Sequence, residues 1–503
     1  MYLRTLKQKG IVFIALALWL GWGALLQGDI SLSKVFTDHM VLQQNSLVKV
    51  SGTAEPGQKL AFRFAKQASK ITANAKGEWL ATIRTPSAGG PFELEVAAEA
   101  GEPKVALSNV MVGDVWVCAG HNMEWPVSKS LNPETEIELS KNFPQLRLFS
   151  VDHSSSVVPL ADFAKVDPWR ICSPETVQEF SATAYYFGRE LSKGLKREDQ
   201  PQEMPIGLID CSWESSACEA WSSRASLEAV KSLAPMLKHW DENGELPTDK
   251  NRPGNLYNGM IAPLKDFPIR GVIWYQGEAN HGRGHQYATL FPTLIGDWRK
   301  AFGNEKMPFY FVQLAPHRYE GESPQGLPEI WDAQLKTLKS VSNTGMVVTT
   351  DIGSAEEIHP KNKQEVGRRL SLVALSDCYL DPEATQEDEK KKLVSSGPIY
   401  DSMSIDDNRI QITFKHAKGL SVGGKDEELG CFLICGEDRK FYAAKASIKG
   451  ESIEVMSEDV SKPVAVRFVW DDSAKPNLVN GAGLPASPFR TDDFPLESQS
   501  REF

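Results

Sequence analysis

The sequence predicts an α/β protein in which a doubly wound parallel sheet is flanked by two β-sandwich domains. Three observations carry that expectation. Short apolar runs at turn-punctuated spacing fill residues 30–108. Apolar strands then alternate with amphipathic helices between about 110 and 380, and short β runs return after 381. Strand–helix alternation is the pattern of a parallel sheet covered on both faces, with its ligand site at the strand C-termini.

In the first region, Leu47–Val50, Leu60–Phe64, Glu78–Ile83 and Phe92–Val96 are separated by Gly/Pro/Asn/Asp turns such as Glu55-Pro56-Gly57. That spacing suits a small antiparallel sandwich. In the second, Val115–Cys118, Ile206–Ile209, Gly271–Tyr275, Phe309–Leu314 and Met346–Thr350 read as buried strands, and Ala182–Lys193, Tyr287–Phe302 and Lys363–Ser376 as helices. A charged linker follows at 386–392. Ile410–Phe414, Cys431–Ile434, Ser452–Met456 and Val464–Trp470 then suggest a second sandwich. The expected division is 1–28, 29–108, 109–380 and 381–503.

Residues 1–28 have the form of a targeting segment. Arg4, Lys7 and Lys9 precede an apolar run from Ile11 to Leu26, which suits a signal-peptide core and is short for a spanning helix. Leu26-Gln27-Gly28 matches the small-x-small cleavage pattern poorly, so an uncleaved anchor stays open. Either form implies export, to a periplasmic, extracellular or membrane-anchored position, with membrane contact only if the segment is retained.

At 503 residues, 41% hydrophobic and 24% charged, the chain is long enough for two to four domains. A net charge of -11 and pI near 5.5 argue against nucleic acid as a partner. The seven cysteines (118, 172, 211, 218, 378, 431, 435) form no CxxC or Cys/His metal pattern and no evident disulfide framework. No metal or cofactor is expected.

Four longer motifs carry chemistry: GDVWVCAGHNMEWPV (113–127), GLIDCSWESSACEAWSSRASL (207–227), GVIWYQGEAN (271–280) and DIGSAEEIHPKNKQEVGRRL (351–370). With the opening VFTDHMVLQQ and the tail NLVNGAGLPASPFRTDDF, they resemble the sialate O-acetylesterases, carbohydrate esterases of the SGNH-hydrolase type. The resemblance runs over essentially the whole chain after residue 28. It implies an SGNH-hydrolase-like fold, an acetylated carbohydrate as partner, and hydrolysis of O-acetyl esters of sialic acid or related sugars. That chemistry needs a nucleophilic Ser, a His to take its proton, and donors for the tetrahedral oxyanion.

The resemblance assigns positions block by block. In the first, the family's Ser directly before Asn-Met-Glu is absent. Gly120 leads into His121 and Asn122 one residue early, and His121 stands at the family's Gln or Ser position according to where the gap is placed. In the second, Glu214-Ser215 replaces a Gly-Gly pair whose bare backbone brings an N–H close to the oxyanion. Ser215 and Ser216 are alternative nucleophiles, although neither lies on the nucleophile turn. In the third, Asn280 fits the oxyanion-donor position, with Gln276 and Glu278 beside it either as pocket residues or as loop-holding ones. In the last, His359 matches the general base. Glu356, three residues earlier, is a candidate to orient it, with Glu357 adjacent. Arg368 and Arg369 read as helix and surface contacts.

Two functions follow. One is esterase activity, impaired because the Ser and the oxyanion Gly are both missing. The other is a non-catalytic paralogue that binds acetylated glycan or a partner protein.

Overall fold

The computed structural model describes residues 29–196, 203–244, 246–380 and 393–500. Residues 1–28, expected to form a targeting segment, and the charged linker 386–392 lie outside them. The chain is a mixed α/β protein built on one large sheet. Across its core the strand order is Val166–Ile171, Leu146–Val151, Ile206–Ser212, Lys104–Gly120, Gly271–Trp274, Phe309–Gln313 and Thr344–Val348. All neighbours pair in parallel except Val166–Ile171, which runs antiparallel at the edge. Apart from the edge strand Val166–Ile171 and the opening residues of Lys104–Gly120, these strands are buried at nearly every position, which explains their apolar runs.

Helices Ala182–Leu195, Gly284–Ala301, Gly326–Ser340 and Lys363–Ala374 carry apolar stripes against the sheet. The Gly326–Ser340 helix was not expected from the sequence. Strand order reverses around Lys104–Gly120: the chain first builds the side holding Ile206–Ser212, then crosses to Gly271–Trp274. Ligands of open α/β sheets bind at such a switch point.

The expected single strand Val115–Cys118 is part of a 17-residue strand, Lys104–Gly120. Its first half pairs antiparallel with Gly89–Ala98 and parallel with Val41–Gln43, and Asn109, at φ 53°, interrupts the regular backbone. Ser31–Leu32, Leu47–Thr53 and Glu78–Arg84 form a separate three-stranded antiparallel sheet. After residue 398, Ile399–Asp406, Arg409–Lys415, Ser452–Met456 and Lys445–Lys449 form one antiparallel sheet. Phe441–Ala443, Phe432–Cys435, Ala465–Phe468 and Phe489–Arg490 form another.

Candidate active site

The first block turns at the end of the long strand. Gly120 has φ 112°, and a Cβ there would stand 2.5 Å from the Tyr275 carbonyl oxygen. Only glycine fits both constraints. The chain therefore crosses close over the neighbouring strand, where the Asn122 N–H donates to the Tyr275 carbonyl at 3.0 Å. His121 and Asn122 are left buried at the C-terminal edge of the sheet.

The second block arrives beside it because Ser212 pairs with Gly120 in register. Ser215 adopts the left-handed conformation at φ 55°, which suits the family's Gly, and its N–H donates to His121 Nδ1 at 3.1 Å. The turn is braced by bonds from Lys250 Nζ to the Glu214 carbonyl and from Asn251 to the Ser215 carbonyl. The Glu214 N–H donates to the Glu124 carboxylate. The Glu214 side chain is 60% exposed, and its Oε1 lies 3.9 Å from His359 Nε2.

His359 completes the cluster. Its ring stacks on Trp125 with centroids 4.8 Å apart, and its Nε2 lies 3.1 Å from His121 Nε2. The protons can be assigned from the network. His121 Nδ1 accepts from a backbone N–H, so neutral His121 carries its proton on Nε2. That proton points at His359 Nε2, which must accept and so leaves the His359 proton on Nδ1. A single imidazole thus occupies the N–H available for an oxyanion and the lone pair available to a base.

Behind the histidines a buried polar network joins three blocks. Asn122 Nδ2 donates to Glu278 Oε1 at 2.7 Å and to the Ile358 carbonyl at 3.2 Å. Its Oδ1 accepts from Lys363 Nζ. Glu278 Oε2 is buried with no hydrogen-bond partner among the described residues. Lys363 opens the helix after His359-Pro360 and is fully buried. Burial pushes its amine down to about 7, against the opposing pull of Glu278 and Glu357. The positive end of its own helix also disfavours the charge. Burial lowers His359 as well, helped by His121 and Lys363 and opposed by Glu278 and Glu214.

Not every residue singled out from the sequence meets the histidines. Asn280 is fully buried, with its Oδ1 accepting from the Cys218 N–H and from Gln276, and its Nδ2 donating to Glu219. No hydrogen bond joins it to His121, Asn122 or His359 among the described residues. Gln276 is buried as well, donating to the Ser216 carbonyl and accepting from the Tyr287 hydroxyl. Both knit the third block to the second.

The expectation for Glu356 is corrected. It is exposed and makes no hydrogen bond to the His359 ring, because the turn bridging Ser354 and Glu357 directs the next carboxylate inward instead. Glu357 Oε1 accepts from the His359 backbone N–H at 3.2 Å. Ser216 is held away from nucleophilic use: its hydroxyl donates to the Trp213 carbonyl at 2.6 Å and accepts from Trp221 Nε1 at 2.9 Å. Arg369 fastens the last block by pairing with Asp351 and Glu365, and Arg368 pairs with Glu365.

Sequence reasoning passed over Lys363, Trp125, Glu124 and His153. Burial alone would raise the Glu124 carboxyl, but the hydrogen bonds from His153 and the Glu214 N–H outweigh it and hold it below its usual range. His153 in turn stacks on Trp213 with centroids 4.2 Å apart. No local signal distinguishes Lys363, three residues beyond Pro360 at the start of the helix, from Lys361. His153 lies in no recognisable motif.

The chain is similar to known carbohydrate esterases. Residues 163–375 match the family model described as carbohydrate esterase, sialic acid-specific acetylesterase. The mouse sialate O-acetylesterase is 28% identical over 492 residues, covering 86% of this chain and 88% of that protein. The human one is 28% identical over 478 residues, covering 88% and 86%. A crystal structure described as a novel carbohydrate acetylesterase from Xanthomonas citri is 34% identical, covers 92% of this chain and 100% of its own, and superposes with a TM-score of 0.81. With a similar protein matched along its full length and the four motif blocks in place, the chain belongs to the sialate O-acetylesterase family of carbohydrate esterases.

Proposed function

We propose that this chain recognises O-acetyl esters of sialic acid or related sugars, and that it is impaired in serine-based hydrolysis of them. The observation that carries the reading is the position of His121. Its Nδ1 takes up the Ser215 N–H and its Nε2–H faces the lone pair of His359, where the chemistry would need an oxyanion donor and a proton acceptor. No serine hydroxyl bonds to His359 among the described residues. Ser216, the more buried of the two alternative nucleophiles, is fully engaged elsewhere.

The assay compares hydrolysis of an acetylated sialic acid and of a chromogenic acetate by this protein and by a variant carrying the family's Gln-Ser pair before Asn122 and Gly-Gly at 214–215. A large gain in the variant supports the reading. Near-normal turnover by the unaltered protein, abolished by His359→Ala, would overturn it and make Ser215 the first residue to mutate. Export is proposed on the form of residues 1–28, and a signal-cleavage assay tests it.

A further inference from the structure

We propose that His121, Glu214 and His359 form a binding site for one divalent transition cation of the zinc type. The inference goes beyond the proposed function, and it stands whether or not the pocket takes acetyl esters. Each of the three residues offers one ligand atom, and these atoms all lie within 4.8 Å of one another. Two imidazoles and a carboxylate are a donor set that zinc takes, leaving a further position open to solvent or ligand.

The distances suit the assignment. Ligand nitrogens bound at about 2.0–2.1 Å to a tetrahedral zinc stand about 3.3 Å apart. The two Nε2 atoms are 3.1 Å apart. An N–H···N hydrogen bond accounts for that spacing equally well, so the third donor decides. Glu214 puts a carboxylate 3.9 Å from His359 Nε2, at a position where the resemblance expects glycine. Its exposed side chain has to close about 0.6 Å toward His359, and up to about 1.5 Å across the cluster, which rotation about its side-chain bonds supplies. Two departures from the family pattern, His121 and Glu214, thus converge on one point beside the histidine that fits it.

The proton assignments set what loading requires. His359 already carries its proton on Nδ1 and presents the Nε2 lone pair. His121 must give up its Nε2 proton, which moves to Nδ1 and displaces the Ser215 N–H. Loading therefore requires the Ser215 peptide to rotate within the turn that the Glu124, Lys250 and Asn251 bonds hold, with Glu214 kept facing the histidines. The ligands come from segments some 90 and 240 residues from the first, which is why no metal spacing is visible along the chain.

The test uses the full-length protein, stripped with chelator and then dialysed against Co²⁺, with bound metal quantified and the visible d–d absorption recorded. One equivalent is expected, displaced by Zn²⁺, with affinity at least tenfold weaker in His121→Ala, His359→Ala and Glu214→Gly. Glu214→Gly is the critical variant, because the side chain is exposed and its loss leaves the core untouched; unchanged thermal melting confirms that it folds. The proposal is overturned if the protein binds no more Co²⁺ than the His121→Ala/His359→Ala double variant, or if Glu214→Gly binds as tightly as the parent.

Discussion

His121 Nε2 and His359 Nε2 face each other at 3.1 Å with a single proton between them. Because His121 Nδ1 accepts from Ser215, that proton belongs to His121, and His359 is the acceptor. A base whose lone pair is already bonded contributes little to catalysis. Hydrolysis of acetyl esters should therefore run at least about a thousand-fold below a Ser-bearing relative, taking only the smaller loss expected from a missing oxyanion donor. Steady-state rates on a chromogenic acetate, with and without His359→Ala, check this; the variant should differ from the parent by less than about threefold.

Removing the neighbour should change how His359 titrates. Burial holds its imidazole low, and His121 and Lys363 add to the effect. His121→Ala deletes one of those contributions and admits water, so the His359 pKa should rise toward the ordinary 6.5. Histidine-selective NMR titration reads it directly. No movement would mean that the two rings are not coupled as described.

Lys363 makes a signed prediction about pH. Its amine titrates at about 7 in the fold, against a reference of 10.5. Between those values the unfolded chain binds more protons, so stability rises with pH across the window. The slope reaches at most about 1.4 kcal/mol per pH unit. The penalty for the buried ammonium is fully present below pH 7 and gone above 10.5. Urea midpoints at several pH values should show this slope in the parent and a flatter one in Lys363→Met.

Asn122 is the hub of the buried network, and Asn122→Leu removes partners from Glu278, Lys363 and the Ile358 carbonyl at once. Stranding two ionisable groups and a carbonyl in a buried site should cost about 2–4 kcal/mol. Chemical denaturation measures it. A loss below about 0.5 kcal/mol, the scale of an ordinary surface substitution, would show that water satisfies these groups.

Gly120→Ala tests the turn itself. A methyl group 2.5 Å from the Tyr275 carbonyl, on a residue at φ 112°, should cost at least about 2 kcal/mol. His121 should move away from His359 as the turn relaxes.

Much of this architecture was legible because burial imposes periodicity. Ile206–Ile209 and Phe309–Val312 are buried at every position and read as unbroken apolar runs. Gln67–Thr72 escaped notice because it is exposed along most of its length and shows no alternation. The site was legible only as far as motif order reaches. His121, Asn122, Glu214, Ser215 and His359 each follow a strand, and a doubly wound sheet gathers such ends. Which side chain faces which is decided by tertiary contacts. That is why Asn280 was expected as an oxyanion donor and holds its amide on Glu219, Gln276 and the Cys218 N–H, and why Glu356 was expected to orient His359 and is exposed. Lys363 was invisible for a compositional reason: lysine is normally a surface residue, and nothing local marks this one as buried.

The strand Lys104–Gly120 has a consequence for any attempt to dissect the molecule. Its opening residues hydrogen-bond to Gly89–Ala98 and Val41–Gln43, and its closing residues deliver the turn at Gly120. The segment before it is therefore no detachable module. Deleting it would strip one continuous strand of half its partners and expose a long unpaired edge, of the kind that recruits other chains into aggregates. The N-terminal sheets and the histidine pair should unfold together, as one cooperative unit, with no intermediate that keeps one and loses the other.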